Sequence, residues 1–225
     1  MRNVKIFIAI LFISLTSRIY AENKVNIRII QDNSNSTNIK VDENVTHLTF
    51  AEPKIRTITS IEGLENLKNL ESLDFYNLTF INMDFFKSCR KLKHIWIAGC
   101  TLPSFSFIEE MENLEEIELD FYIDYSINEL IKGKTIDLKK LQNLKRIYFL
   151  GLIIKDNQIT KYKTIPRFQN VPSGCTLIMQ DQDIERLSDI DISILKQFKN
   201  VDLFANPVLK TKDINSIESI LIKYE

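Results

Sequence analysis

The stretch LKHIWIAGCTL, residues 92–102, carries apolar side chains at its first, fourth, sixth and eleventh positions and a cysteine at its ninth. A lone half-buried strand alternates with period two. Leu92, Ile95 and Ile97 instead join a three-residue step to a two-residue step, as a chain does when it turns onto a short strand and then leaves it.

The spacing recurs along the chain. It is met at Val45, Leu48 and Phe50; at Leu70, Leu73 and Phe75; and at Leu92, Ile95 and Ile97. Leu114, Ile117 and Leu119 follow, then Leu144, Ile147 and Phe149. A degenerate copy at Gly174, Leu177 and Met179 precedes the last, at Phe198, Val201 and Leu203. The starts fall 25, 22, 22, 30, 30 and 24 residues apart, which predicts seven coils. Each coil lays down a short strand whose two apolar residues face inward, and no coil can bury its own apolar side alone, so the coils must stack. An Asn or Cys after the strand turns the chain inward, where its side chain can bond the backbone of neighbouring coils.

This pattern resembles the leucine-rich repeat family, whose template is L-x-x-L-x-L-x-x-[N/C]-x-L. LKHIWIAGCTL meets every fixed position with Cys100 in the Asn/Cys slot, and FKNVDLFANPV, residues 198–208, places Asn206 there. IEGLENLKNLESLDF (61–75) looks like internalin-type units, and FFKSCRKLKHI (85–95) resembles BspA-like bacterial surface repeats. The resemblance implies an α/β solenoid, right-handed, with a parallel concave sheet and a mixed helical and irregular convex side. It also implies non-catalytic protein recognition outside the cytoplasm, by surface adhesion or host interaction.

The slot is not kept throughout: Leu78, Tyr122, Leu152 and Gln182 occupy it in other units, which breaks the polar ladder. The 30-residue units leave room for outer helices, and SINELIKG (126–133), IDLKKLQNL (136–144) and IERLSDIDISILKQF (184–198) space their apolar residues as helices would. The solenoid is expected over 44–208. Terminal coils need caps. KVNIRII (24–30) alternates and IKV (39–41) follows the polar QDNSNSTN, which predicts an extended or hairpin cap over 22–43. DINSIESILIKYE offers Asp213 or Ser216 as N-cap of a closing helix in 209–225.

Residues 1–21 combine a basic start, an apolar run of about ten residues and a small residue, Ala21, the pattern of a cleaved secretory signal and too short for the roughly 20 residues that span a bilayer. The mature chain is then expected to begin at Glu22, to be exported (secreted, periplasmic or surface-associated) and monomeric, with no integral membrane span. The formal charge is −1, and loss of Arg2, Lys5 and Arg18 takes it to −4, which leaves no electrostatic footprint for nucleic acid. Three cysteines, Cys89, Cys100 and Cys175, form no CxxC pair and read as buried thiols, with Cys89 towards the outer wall of its coil.

No P-loop, GxGxxG, HExxH or GxSxG motif occurs, so neither a cofactor nor a metal is expected. His47 and His94 share a repeat position two strands apart, roughly 10 Å at ~4.8 Å per strand, too far to ligate one zinc ion together. His94 beside Asp74 offers an alternative, hydrolase-like site; a periplasmic structural protein with no dedicated ligand is another. The sequons at Asn35, Asn44 and Asn77 are what chance gives in an Asn-rich chain.

The informative surface is the one the strands display. Its middle column runs Thr49, Asp74, Trp96, Glu118, Tyr148, Ile178, Asp202, and His47, Ser72, His94, Glu116, Arg146, Thr176, Asn200 lie on one side. Ala51, Tyr76, Ala98, Asp120, Leu150, Gln180, Phe204 lie on the other. Trp96 is the sole tryptophan. With Tyr148, Tyr76, Leu150 and Ile178 it forms an apolar field beside Glu116, Glu118, Asp120, His94 and Arg146. Aromatic side chains gathered on an exposed face mark interaction sites, so these residues are the candidates for binding a protein partner.

Overall fold

The computed structural model describes residues 23–32, 35–51, 57–124, 135–155, 158–162, 167–180, 184–186 and 192–206, with the backbone alone described at 121–124, 150–155 and 158–162. The expected signal segment 1–21, SINELIKG, Gln182 and the expected closing helix lie outside the described residues.

Seven strands stack side by side in chain order: β3 (His47–Phe50), β5 (Ser72–Tyr76), β7 (His94–Ala98), β8 (Glu116–Asp124), β10 (Arg146–Lys155), β13 (Thr176–Ile178) and β14 (Asn200–Asp202). Every pair along this path is parallel, and the register sets like positions of each coil side by side: Leu73 pairs with Ile95, Ile95 with Ile117, and Ile117 with Ile147. The two apolar residues of each strand are buried, as in Ile95 (2% exposed) and Ile97 (0%), and they join one continuous core. Phe50 stacks on Phe75 at 5.1 Å between ring centres, and Phe80, Phe85 and Phe86 surround Phe75 edge-on. This strand-rich, parallel, helix-poor arrangement fits a leucine-rich-repeat solenoid.

The wall that leads into β5, β7, β8 and β10 is built from backbone bonds that span three residues. Leu67 N donates to Leu64 O and Leu70 N to Leu67 O; Phe86, Cys89 and Leu92 repeat the pattern, as do Ile108, Met111 and Leu114, and Leu138, Leu141 and Leu144. All twelve of these side chains are buried. Turns of three residues eclipse positions i and i+3, so an apolar residue at every third position faces the core continuously. IDLKKLQNL is therefore not a helix. Thr135–Asp137 is strand β9, and Leu138, Leu141 and Leu144 follow as two such turns because their spacing is 3.0 rather than 3.6. In the last long segment the one α-helix among the described residues, α1, is four residues, Ile192–Leu195.

A second sheet lies off the first, in the order β2 (Ser36–Asp42), β1 (Lys24–Gln31), β4 (Thr57–Glu62), β6 (Thr79–Phe80). β1 and β2 form an antiparallel hairpin, and β1 pairs antiparallel with β4. Ile27, Ile29 and Val41 carry the hairpin's inner face into the core. Farther along, β9 pairs with β12 (Arg167–Gln169).

Three strands are followed by a left-handed residue just before the slot, and at β5 it is Asn77 (φ 57°) although the slot there holds Leu78. Gly99 has φ 63° and Ala205 φ 61°, each in the left-handed region just before Cys100 and Asn206. Cys100 Sγ accepts from Leu78 N at 3.4 Å and donates towards Phe75 O and Ala98 O. Asn206 Nδ2 donates to Met179 O and Leu203 O while its Oδ1 accepts from Ile184 N. Where the slot is Tyr122 or Leu152 the strand runs on: β8 and β10 reach 9 and 10 residues, pair through Leu152 and Tyr122, and β10 turns back into antiparallel β11 (Gln158–Tyr162). Cys89, Cys100 and Cys175 are free and buried, and burial pushes their thiols up to about 11, 12 and 12.

Candidate functional site

Alternation along each strand sends the residues flanking the inward pair to the other face of the sheet, where most are open to solvent while Asp74 and Asp202 are buried. The register makes rows of them. His47, Ser72, His94, Glu116, Arg146, Thr176 and Asn200 are paired in succession, as are Thr49, Asp74, Trp96, Glu118, Tyr148, Ile178 and Asp202. The third row runs Tyr76, Ala98, Asp120, Leu150 by the same pairings. Of Leu150 only this backbone place is described.

A shallow depression of about 340 Å³ opens on this face, lined by Trp96, Glu118, Tyr148 and Ile178 and by the strand at Ile95 and Ile117, whose side chains are buried in the core. His94, Glu116, Arg146, His47, Ser72 and Asp74 complete its rim. Tyr76 stands next to it, its ring edge-on to Trp96 at 5.1 Å and 70°. Trp96 is 38% exposed, against 2% and 0% for Ile95 and Ile97 on either side of it. The depression lies at the small end of small-molecule sites, roughly 300–1,000 Å³, and has the size of one or two side chains.

The charges are paired unevenly. Asp74 Oδ2 lies 2.8 Å from His47 Nε2 and accepts from Thr49 Oγ1 at 3.4 Å. Glu116 stands between His94 (3.7 Å) and Arg146 (3.6 Å). Asp74 thus meets His47 and not His94: both histidines lie diagonal to it, and His94 faces Glu116 directly across the next strand. In place of the dyad held as the alternative, the two histidines form two separate pairs. That His47 would be the partner was open to sequence reading, since it stands in the same diagonal relation to Asp74. Among the described residues no group of three His, Cys, Asp or Glu is placed to hold a metal ion.

Glu118 and Asp120 have no side-chain hydrogen bond or ion pair among the described residues. Burial raises the Glu118 carboxyl above the usual range, repulsion from Asp120, Glu116 and Asp74 adds to it, and Arg146 opposes. Burial also raises Asp120, and it raises Asp74 despite the opposing pull of His47. The Tyr76 hydroxyl is pushed up to about 12 by burial first and by Asp74 and Glu118 second. The face concentrates negative charge among aromatic rings.

No protein-family model matches this chain, and no curated protein matches it. Among solved structures it is similar to internalin C2 of Listeria monocytogenes, at 17% identity over 73% of this chain and 84% of that one, with a TM-score of 0.35. It is also similar to another L. monocytogenes internalin, inlF, at 14% identity over 80% of this chain and about half (48%) of that one, with a TM-score of 0.37. The chain's own repeat spacing and strand register carry the leucine-rich-repeat fold.

Proposed function

We propose that this chain is a non-catalytic recognition protein that binds a protein partner through its concave face. The observation that carries the reading is Trp96: the one tryptophan of the chain stands exposed in the middle row, braced edge-on by Tyr76 and separated from Tyr148 only by Glu118. Rigid aromatic anchors near the centre of a surface supply most of the binding energy in protein interfaces. Tyr76, Asp120, His94, Arg146, Leu150 and Ile178 surround them as the contact field. The engagement of Asp74 by His47 and of His94 by Glu116 speaks for recognition over the hydrolase-like alternative.

The same reading takes residues 1–21 as a cleaved export signal, the hairpin region 22–43 and the segment 209–225 as caps, and the mature chain as a monomer working in a secreted, periplasmic or surface-bound state. A photo-crosslinking residue placed at Trp96, with one at Lys139 on the outer wall as control, tests it in extracellular fractions of the protein's surroundings. One protein crosslinked from position 96 and not from 139 is expected. Equal crosslinking from both positions, or none from 96, contradicts the reading and favours a structural protein with no dedicated ligand.

A further inference from the structure

We infer that the concave depression takes a basic side chain, an arginine or lysine from an extended segment of the partner protein, seated over Glu118 between Trp96 and Tyr148. The inference rests on the proposed recognition role and names the chemistry of the occupant.

Charge complementarity points there. Asp74, Glu116, Glu118 and Asp120 share the central rows with one guanidinium, Arg146. His47 meets Asp74, and His94 and Arg146 both meet Glu116, so the one guanidinium and both imidazoles of the face are engaged by other carboxylates. Glu118, in the wall of the depression, is left without a cation in contact, and Asp120 lies one row away. A partly buried carboxylate flanked by like charges is a costly arrangement, and a cation arriving from outside relieves it.

The rings set the geometry. Trp96, Glu118 and Tyr148 are direct neighbours on β7, β8 and β10. At ~4.8 Å per strand the two aromatic residues stand about 10 Å apart, so a cation above Glu118 lies about 5 Å from each, inside the roughly 6 Å reach of a cation–π contact. The side chains of Ile95 and Ile117 turn to the core, so the apolar surface open to the alkyl stem of such a side chain is that of the Trp96 and Tyr148 rings and Ile178. An anionic or purely apolar occupant would leave Glu118 repelled or desolvated and unpaired.

The test uses the mature chain and an octapeptide alternating arginine with serine, followed by the emission of Trp96, which needs no assignment because the chain has one tryptophan. Controls replace arginine by citrulline, its neutral isostere, or by glutamate. The arginine peptide is expected to quench Trp96 saturably, with affinity at least about tenfold lost for citrulline and again for Glu118→Gln. Equal binding of the citrulline peptide, unchanged binding to Glu118→Gln, or no quench up to about 5 mM overturns the inference. Failure of the underlying role reads differently. A captured protein that needs Trp96 and Tyr148 but tolerates Glu118→Gln removes the cation and keeps the recognition face. Arginine-peptide binding with no protein crosslinked from position 96 does the reverse.

Discussion

Asn206 Nδ2 donates to the Met179 carbonyl at 2.6 Å, reaching from the turn after the last described strand into the coil before it. The side chain is 2% exposed and also holds Leu203 O and Ile184 N. Removing a buried amide that satisfies several backbone groups costs about 2–4 kcal/mol. Asn206→Ala should therefore lower stability by that amount in urea melts, whereas Cys100→Ala, which loses weaker sulfur contacts, should cost less than about 2 kcal/mol. Equal losses would show that the two slots hold their turns by something other than these bonds.

Ile95 and Trp96 are chain neighbours on opposite faces of β7, 2% and 38% exposed. Ile95→Asp sets an unpaired charge inside the core and should cost more than about 4 kcal/mol. Trp96→Asp loses the edge-on Tyr76 contact and sets a solvent-facing carboxylate between Asp74 and Glu118, and should cost about 2 kcal/mol or less. Matching drops in the melting midpoint would mean that the inside and outside of this rung are assigned wrongly.

Glu118 gives the face a pH signature. Its folded-state pKa is raised, by burial first and by neighbouring carboxylates after it, so the folded chain holds the proton more tightly than the unfolded one. The stability this contributes is fully present below the ordinary glutamate range and is lost as pH rises through the raised value. Glu118→Gln should accordingly melt above the parent near pH 7, with the gain vanishing towards about pH 3. A gain confined to acid pH would reverse the sign.

The rows of the concave face were readable from spacing alone, because one residue of register slip would turn every inward residue outward. Trp96, Glu118 and Tyr148 therefore fall in one row both by counting and in the sheet. The convex wall was harder. Leu138, Leu141 and Leu144 fit a period of three as well as a helical face, and only the backbone bonds separate the two. The hairpin of β1 and β2 was legible, but its extension by β4 and β6 was not, because Thr57–Glu62, reading TITSIE, shows little apolar alternation and takes its strand form from pairing with β1 and β6. Tyr122 and Leu152 were legible as departures from the slot, but not their consequence, that β8 and β10 lengthen together. The partner of Asp74 depended on which of two equivalent histidines had a competing carboxylate, and the spacing that sets Glu116 beside His94 in its row already pointed to His47.

The central claim is that recognition sits on the concave rows, and a comparison of two double variants against the crosslinked partner tests it most directly. Trp96→Ala with Tyr148→Ala removes both anchors; Lys139→Ala with Lys140→Ala alters the outer wall, where Lys140 meets Glu110. Truncating a central aromatic anchor costs about 2 kcal/mol or more, so the first pair should weaken binding by more than about 100-fold. The second pair should change it by less than about threefold, and both proteins should keep the parent's cooperative melt. Loss of the partner in the outer-wall variant, with binding kept in the concave one, would contradict the account.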